Sequence, residues 1–227
     1  MNLLAIDTSA DFCSVAARRG EALAFRHERA GQRQAEMILD LVESVLAEAQ
    51  LPLGDVGGIA FGAGPGSFTG LRVACAVTQG IALARGIGVV PVGTLLALAE
   101  EIAGKAATAE VIACLDAHMG EVYHAAYRKT AAGWEEVCAP GLYGPESVPA
   151  VSGDGWVGRG NGFAAHGGRV AARYGNRLSS VNPQVVPTAL AVLRLAMPRF
   201  AAGDVVDAAE AVPVYLREKV ALKAGER

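Results

Sequence analysis

The feature that most constrains the fold is one unit that occurs twice along the chain. Residues 2–6 are a short apolar run that predicts a buried strand, and Asp7 follows this run at the start of a turn. Residues 111–115 are a second apolar run, and Asp116 follows it in the same way. Strand-like segments come after each aspartate, so each half is expected to form a hairpin. Duplication on this scale predicts an α/β protein of two related lobes with mixed sheets, residues 1–104 and 105–227.

Three helices carry the strongest periodic signals. In residues 32–49 the apolar side chains recur at spacings of three and four, which is typical of an amphipathic helix. A long, mostly apolar helix is expected over residues 67–85, because a tight turn precedes it and Gly86 follows it. Another helix should begin near Thr188, and we expect Pro198 to limit its C-terminal end.

Composition narrows the class of protein. Of 227 residues, 52% are hydrophobic and 19% are charged, which indicates a globular chain and not a disordered one. The formal net charge of −3 argues against a domain that holds RNA by itself, because phosphate neutralisation dominates such binding. No signal peptide or membrane span is predicted, so we expect a cytoplasmic protein. The four cysteines lie far apart, and buried free thiols are expected.

A phosphate cleft is one interpretation of the aspartates and of a glycine-rich turn. The alternative for Asp7 is that it satisfies the backbone groups of its own turn. Glycines at a strand-to-helix turn allow backbone amides to approach an anion, whereas the alternative is a packed turn capped by Ser67. The candidate cleft residues are Asp7, Gly64, Gly66, Ser67 and Asp116.

Small and apolar side chains on the two helices of the first lobe form a candidate protein interface. Small residues at helical spacing allow a partner helix to approach closely, and the alternative is packing within the lobe. The candidate interface residues are Gln34, Met37, Leu41, Gly70, Ala74, Val77 and Ile81.

No strong catalytic constellation is apparent. The four histidines do not form H-x-x-x-H or H-E-x-x-H, so a metal site with that spacing is not predicted. The hydrolase signature G-x-S-x-G does not occur either.

Four segments spread over nearly the whole chain carry a resemblance to a known family. Residues 6–9 read I-D-T-S, residues 64–72 read G-P-G-S-F-T-G-L-R, residues 116–123 read D-A-H-M-G-E-V-Y, and residues 212–217 read V-P-V-Y-L-R. Together and in this order they resemble the TsaB (YeaZ) family. The second segment is the most specific, and the others are weak when taken singly.

This resemblance implies an actin-like ATPase fold of the ASKHA, RNase H-like type. It also implies a catalytic paralogue, TsaD, whose metal-binding H-x-x-x-H corresponds here to Thr94 and Leu98. Neither side chain binds a transition metal as imidazole does. One departure from the family is Gln34, where many relatives have histidine.

The resemblance further implies a non-catalytic scaffold without a resident metal or firmly bound cofactor. Its expected partners are TsaD and the ATPase TsaE, with a homodimer when the chain is alone and weak ATP or ADP binding at the partner interface. The tRNA adenosine next to the anticodon would be reached only through the complex. Two alternatives stay open: an active kinase or ATPase that uses Asp7 and Asp116, and a metallopeptidase.

Overall fold

The first five strands form one mixed sheet in a computed structural model that describes residues 1–103 and 108–217. The sheet order is β3-β2-β1-β4-β5, with β1 antiparallel to β2 and parallel to β4. The strand bounds are β1 (Asn2–Asp7), β2 (Phe12–Arg19), β3 (Ala22–Arg29), β4 (Gly58–Gly64) and β5 (Val89–Gly93).

The second sheet repeats this order with the next five strands. Its order is β10-β9-β6-β7-β8, with β6 antiparallel to β7 and parallel to β9. The predicted pair of strand–aspartate–hairpin units is therefore confirmed, because β1 and β6 hold the same central position. The strand bounds are β6 (Ala109–Asp116), β7 (Val122–Thr130), β8 (Gly133–Tyr143), β9 (Trp156–Arg159) and β10 (Leu178–Asn182).

Helices cover both faces of the first sheet. The helix bounds are α1 (Gln34–Glu48), α2 (Phe68–Arg85), α3 (Thr94–Ala103), α4 (Gly162–Ala165), α5 (Arg169–Tyr174) and α6 (Ala189–Ala202). The apolar sides of α1 and α2 pack on one face of the sheet, and α6 packs on the other. The expectation that Pro198 limits α6 is wrong. Pro198 lies inside the helix, and Gly203, in a left-handed conformation, ends it.

The division into lobes follows the sheets more closely than it follows the chain. The predicted boundary between residues 104 and 105 lies outside the described residues. Although α6 comes from the second half of the chain, its apolar side buries Leu3, Ala5 and Val90 of the first sheet. Helix α3 connects the lobes, because Ala97 packs with the first sheet while Leu95 packs with the second.

The cysteines are free, as predicted. Cys13, Cys75 and Cys114 are buried, and Cys138 is partly exposed. Burial raises the pKa of the Cys13 thiol to about 12, so this group is a small apolar side chain at neutral pH. Among the helices of residues 1–103 and 108–217, none combines the length and apolarity that crossing a bilayer requires.

Candidate functional site

The Asp7 carboxylate is buried at the end of the central strand of the first sheet. Its Oδ1 atom accepts hydrogen bonds from the Ser9 backbone N–H at 3.1 Å and from the Ser9 hydroxyl at 2.8 Å. Its Oδ2 atom has no hydrogen-bond partner among the described residues and lies against Gly62, where a Cβ would overlap it. Burial raises the pKa of Asp7 to about 6, against the lowering effect of the Ser9 hydrogen bonds.

The glycine-rich turn packs directly on the backbone that follows Asp7. The Ser67 N–H donates to the Ser9 carbonyl at 2.8 Å, and a Cβ at Gly66 would overlap the same carbonyl. The Ser67 hydroxyl caps α2 by accepting from the Gly70 N–H at 3.3 Å. The Thr8 hydroxyl donates to the Gly70 carbonyl at 2.6 Å. Close backbone approach therefore accounts for Gly66, and the turn is capped as the packing alternative predicted.

Asp116 occupies the equivalent strand end of the second lobe in a more open setting. Its Oδ1 atom accepts from the His118 backbone N–H at 3.0 Å. The His118 Nδ1 atom lies 3.3 Å from Oδ2, and the His166 Nε2 atom lies 3.3 Å from Oδ1. The His118 side chain is exposed, whereas that of His166 is largely buried. Two imidazoles thus flank a carboxylate that solvent can reach.

Residues 212–217, here called the C-terminal strap, connect the motifs of the two lobes. The Val214 N–H donates to the Ala63 carbonyl at 2.7 Å, and a Cβ at Gly64 would lie 2.5 Å from the Val214 carbonyl oxygen. On the second lobe, the Arg217 guanidinium donates to the Ala117 carbonyl at 3.0 Å and to Glu121 Oε2 at 2.7 Å. The strap therefore lies on the glycine-rich turn and reaches the loop that follows Asp116.

A cavity of about 40 Å³ remains where the strap meets both lobes, with Gly66, Tyr123 and Arg217 in its lining. Ligand sites for cofactors usually measure several hundred cubic ångströms. The structure brings Asp7, Gly66 and Ser67 together around the Ser9 backbone. The strap links the loop that follows Asp116 to this group, and a phosphate-binding role for the cleft residues stays a prediction.

The two positions that correspond to the TsaD metal ligands have structural contacts. The Thr94 hydroxyl accepts a hydrogen bond from the Gly64 N–H at 3.1 Å, and Leu98 is buried in the core of the second lobe. In the part of the chain that the structure describes, no three histidine, cysteine or acidic side chains are arranged to hold a metal ion.

Four of the seven candidate interface residues do not lie on an open surface. Ala74 and Leu41 are part of the first-lobe core, and Gln34 is buried. Gly70 faces the Thr8 carbonyl, which a Cβ would overlap. For these four the alternative of packing within the lobe describes the isolated chain, because periodicity identifies one side of a helix but not what covers it, and their role in a partner interface stays a prediction. Met37, Val77 and Ile81 stay partly exposed at the edge of the core.

The exposed face of α2 lies elsewhere on the helix and is also rich in small residues. Ala76, Gly80 and Ala84 follow one another at a spacing of four, and all three are exposed. A Cβ at Gly80 would contact nothing within 4 Å. Leu83 on α2 is 78% exposed, and Leu39 on α1 is 60% exposed.

An apolar groove of about 670 Å³ adjoins this face, at the C-terminal half of α1. It is lined by Leu39, Val42, Leu46, Leu51, Pro52, Leu53 and Ile81, with Glu43, Ala47 and Gln50 completing the lining. We call the exposed residues Ala76, Gly80, Leu83 and Ala84 together with this groove the α1/α2 surface. Contiguous exposed apolar area of this kind commonly marks a protein interaction site.

Several residues that shape the site were not singled out from the sequence. His166 follows Asp116 by fifty positions, and no local pattern connects the two. Arg217 and Tyr215 lie in the V-P-V-Y-L-R segment, which is extended and carries no periodic signal. Arg72 is the last residue of G-P-G-S-F-T-G-L-R, and the specificity of that motif is the sequence signal that could have identified Arg72 as a functional residue.

Comparison with known proteins places this geometry in a family. The family model described as "TsaD: tRNA N6-adenosine threonylcarbamoyltransferase" matches residues 26–195. The "tRNA threonylcarbamoyladenosine biosynthesis protein TsaB" of Escherichia coli strain K12 is 33% identical over 98% of this chain and 97% of its own length. The protein of the same name from Haemophilus influenzae is 31% identical over 98% of this chain and 96% of its own length.

A solved structure has the same fold over nearly its full length. The structure "YeaZ from Pseudomonas aeruginosa" is 34% identical and covers 95% of this chain and 99% of that chain, with a TM-score of 0.87. The two duplicated lobes and the mixed sheets are those of the actin-like α/β fold. On identity, coverage and structure alike, the chain belongs to the TsaB (YeaZ) family.

Proposed function

We propose that this chain is a non-catalytic subunit in the formation of threonylcarbamoyladenosine on tRNA, and that it acts by binding TsaD. Its relatives carry the name of this biosynthesis in their own names. In this proposal TsaD transfers threonylcarbamoyl to the adenosine next to the anticodon, and the ATPase TsaE joins the pair. The tRNA is held by the complex, because a chain with a net charge of −3 has little capacity to hold it alone.

The observation that carries the proposal is the exposed face of α2. Glycine within a helix costs about 1 kcal/mol relative to alanine, and Gly80 has no neighbour that would exclude a methyl group. The exposed Ala76 and Ala84 extend the same small surface along the helix. A helix from a partner can approach this face closely and bury Leu39 and Leu83, which water now covers.

We propose that the same surface pairs two copies of the chain in a homodimer when TsaD is absent. A stable interface buries about 1,200–2,000 Å² in total, and the α1/α2 surface offers an apolar centre for it. Competition between a second copy and TsaD would then follow. Weak ATP or ADP binding beside this interface is part of the same proposal.

An active kinase or ATPase has weaker support. In such an enzyme Asp7 would have to reach magnesium or a phosphate, yet its carboxylate is buried against Gly62 and held by Ser9. The glycine-rich turn contacts the Ser9 backbone and the strap, so its approach surface is occupied by the protein itself.

The proposal is tested by calorimetric titration of the full chain with purified TsaD from the same organism. Ala76→Arg puts a charge at the centre of the α1/α2 surface, and an uncompensated buried charge costs several kcal/mol. We expect affinity to fall by about 100-fold or more while the melting transition is retained. Ala201→Arg, at an exposed alanine of α6, is the matched control and should bind as the wild type does.

Gly80→Ala gives the sharper result, because its two effects have opposite signs. The variant should unfold at a higher temperature, since alanine favours the helix, and should bind TsaD more weakly, since the methyl group keeps the partner away. A folded Ala76→Arg variant that binds TsaD with wild-type affinity would refute the proposed interface.

A further inference from the structure

A preformed stack of an arginine and two aromatic rings lies on the surface where α2 meets the strap. The Arg72 guanidinium carbon is 3.5 Å from the centre of the Phe68 ring, and the Arg72 Nε atom donates to the Tyr215 hydroxyl at 3.3 Å. The Phe68 and Tyr215 rings are 5.4 Å apart. Phe68 is 37% exposed and Tyr215 is 44% exposed, so the chain presents this arrangement to solvent.

The stack leaves the terminal nitrogens of Arg72 without an acceptor among the described residues. Arg72 takes part in no ion pair there, and its one hydrogen bond within the described chain uses Nε. The Phe68 and Tyr215 rings and the Tyr215 hydroxyl at Nε hold the guanidinium plane of Arg72 in one orientation. Less rotamer freedom is therefore lost when the guanidinium binds an acceptor. A planar guanidinium held in this way is suited to bidentate pairing with a carboxylate or a phosphate.

A carboxylate on a protein suits the site better than the phosphates of an RNA. Binding to nucleic acid usually needs several cations, because each neutralised phosphate adds to the affinity. Among the described residues, the second cation that lines the cavity beside the stack is Arg217, which is largely buried and paired with Glu121. Phe68, Arg72 and Tyr215 are also of the residue types that are common at the anchor points of protein interfaces, where aromatic rings and arginine predominate.

We propose that Arg72 is an anchor that binds an acidic side chain of TsaD, with Phe68 and Tyr215 holding the guanidinium in position. The inference rests on the proposed function and extends it. Arg72 and Ala76 are one helical turn apart, so a partner that covers Ala76 and Gly80 passes the stack at the N-terminal end of α2. The α1/α2 surface would supply apolar contact, and Arg72 would fix the position of the partner along the helix.

The strap determines where Tyr215 lies. The Val214 N–H bonds the Ala63 carbonyl on the first lobe, while Arg217 bonds the loop of the second lobe. Tyr215 lies between these two attachments and lines the cavity beside Phe68. Tyr215 is therefore a positioning residue, and the anchor depends on a segment that comes from the far end of the chain.

The test is titration of purified TsaD from the same organism with full-length Arg72→Met. Methionine keeps an unbranched apolar side chain over Phe68 and removes the charge. We expect affinity to fall by about 10- to 100-fold, as for the loss of a hydrogen-bonded charge. Raising the salt concentration should weaken the wild type toward the variant, because added ions screen an exposed pair. Arg177→Met, at an exposed arginine of the second lobe, is the control and should bind normally.

Tyr215→Phe separates positioning from charge. It keeps the ring and removes the hydroxyl that accepts from Arg72, so we expect a loss of about 3- to 10-fold with the salt dependence unchanged. If the wild type binds TsaD and Arg72→Met binds within twofold of it, the anchor is wrong while the proposed function stands. If that variant instead weakens capture of tRNA by the assembled complex, the acceptor is a phosphate and the anchor is again wrong. If the wild type fails to bind TsaD, the proposed function itself fails, and the anchor with it.

Discussion

Asp7 and Asp116 end equivalent strands and make the same local hydrogen bond in different surroundings. In both lobes the Oδ1 atom accepts from the backbone N–H two residues later, at 3.1 Å from Ser9 and at 3.0 Å from His118. The side chain of that second residue also contacts the carboxylate, as a hydroxyl in the first lobe and as an imidazole in the second. The first carboxylate is buried, whereas the second stays partly open to solvent.

The difference arises from what packs on each loop. The glycine-rich turn of α2 covers the loop after Asp7 with backbone, and its glycines leave no room between them. The loop after Asp116 is held by one side chain of the strap, Arg217, and stays accessible around His118. Duplication preserved the topology and the turn, while the chemistry of each strand end depends on its neighbours. Function therefore depends on the residues of each site and not on the fold alone.

The largest expected difference between the two lobes is in the loss of stability when one glycine of each lobe is replaced by alanine. In Gly70→Ala the new Cβ would overlap the Thr8 carbonyl, which belongs to the backbone and cannot rotate away. We expect the free energy of unfolding to fall by about 3 kcal/mol, as for a severe overpacking substitution. Gly120→Ala meets nothing within 4 Å and is strained only by a φ of +79°, so we expect about 1 kcal/mol. Denaturant titration measures both, and equal losses would contradict the contrast.

The pH dependence of stability should distinguish the two aspartates. The pKa of Asp7 rises from 3.8 to about 6 on folding, so the folded state binds more protons than the unfolded state between these values. Asp7 therefore lowers stability as pH rises from about 4 to 6, by about 3 kcal/mol in total. In Asp7→Asn this decline is absent. The free energy of unfolding of the variant should therefore rise by about 3 kcal/mol relative to that of the wild type between pH 4 and pH 7.

Asp116→Asn is the matched control because this carboxylate is partly open to solvent, and the free energy of unfolding of the variant should differ from that of the wild type by less than about 1 kcal/mol. Variants are needed because His124 acts with the opposite sign. Burial lowers the pKa of His124 from 6.5 to about 4, so this residue lowers stability as pH falls through that range. An Asp7→Asn profile that runs parallel to the wild type would show that Asp7 is not the group responsible.

Local pattern predicted the elements of the fold better than it predicted their neighbours. The predicted bounds of the strand that ends at Asp7 and of the helix over residues 67–85 agree with the structure to within one residue. Both predictions depend on the apolar pattern of residues that are neighbours in the sequence. The packing of α6 on the first sheet was not expected. That contact joins residues far apart in sequence, and its apolar side would suit either sheet.

The candidate site shows the same limit. The sequence predicts a functional or tightly packed role for the glycine-rich turn. A packed turn with a Ser67 cap is one of the two alternatives, and a phosphate-binding turn is the other. Ala74 was assigned to a partner, because a small residue at helical spacing fits a tight contact with the protein's own sheet as well as with another chain. The pairing of Asp116 with His166 depends on where the short α4 ends, which no propensity in the sequence determines.

The smallest expected changes in stability come from removing the Ser9 hydroxyl and the His118 imidazole, the side chains that contact the two aspartates. Ser9→Ala removes the hydroxyl that donates to Asp7 at 2.8 Å, and at pH 8, where Asp7 is ionised, we expect a loss of about 2 kcal/mol. This hydrogen bond lowers the pKa of Asp7 in the folded state, so in the variant the decline in stability should still begin near pH 4 but should end at a higher pH than in the wild type. His118→Ala removes a solvent-exposed imidazole and leaves the backbone N–H in place at Asp116, so we expect less than about 0.5 kcal/mol. Denaturant titrations of both variants at several pH values measure these effects. A loss in His118→Ala as large as that in Ser9→Ala would mean that the second strand end is as tightly organised as the first.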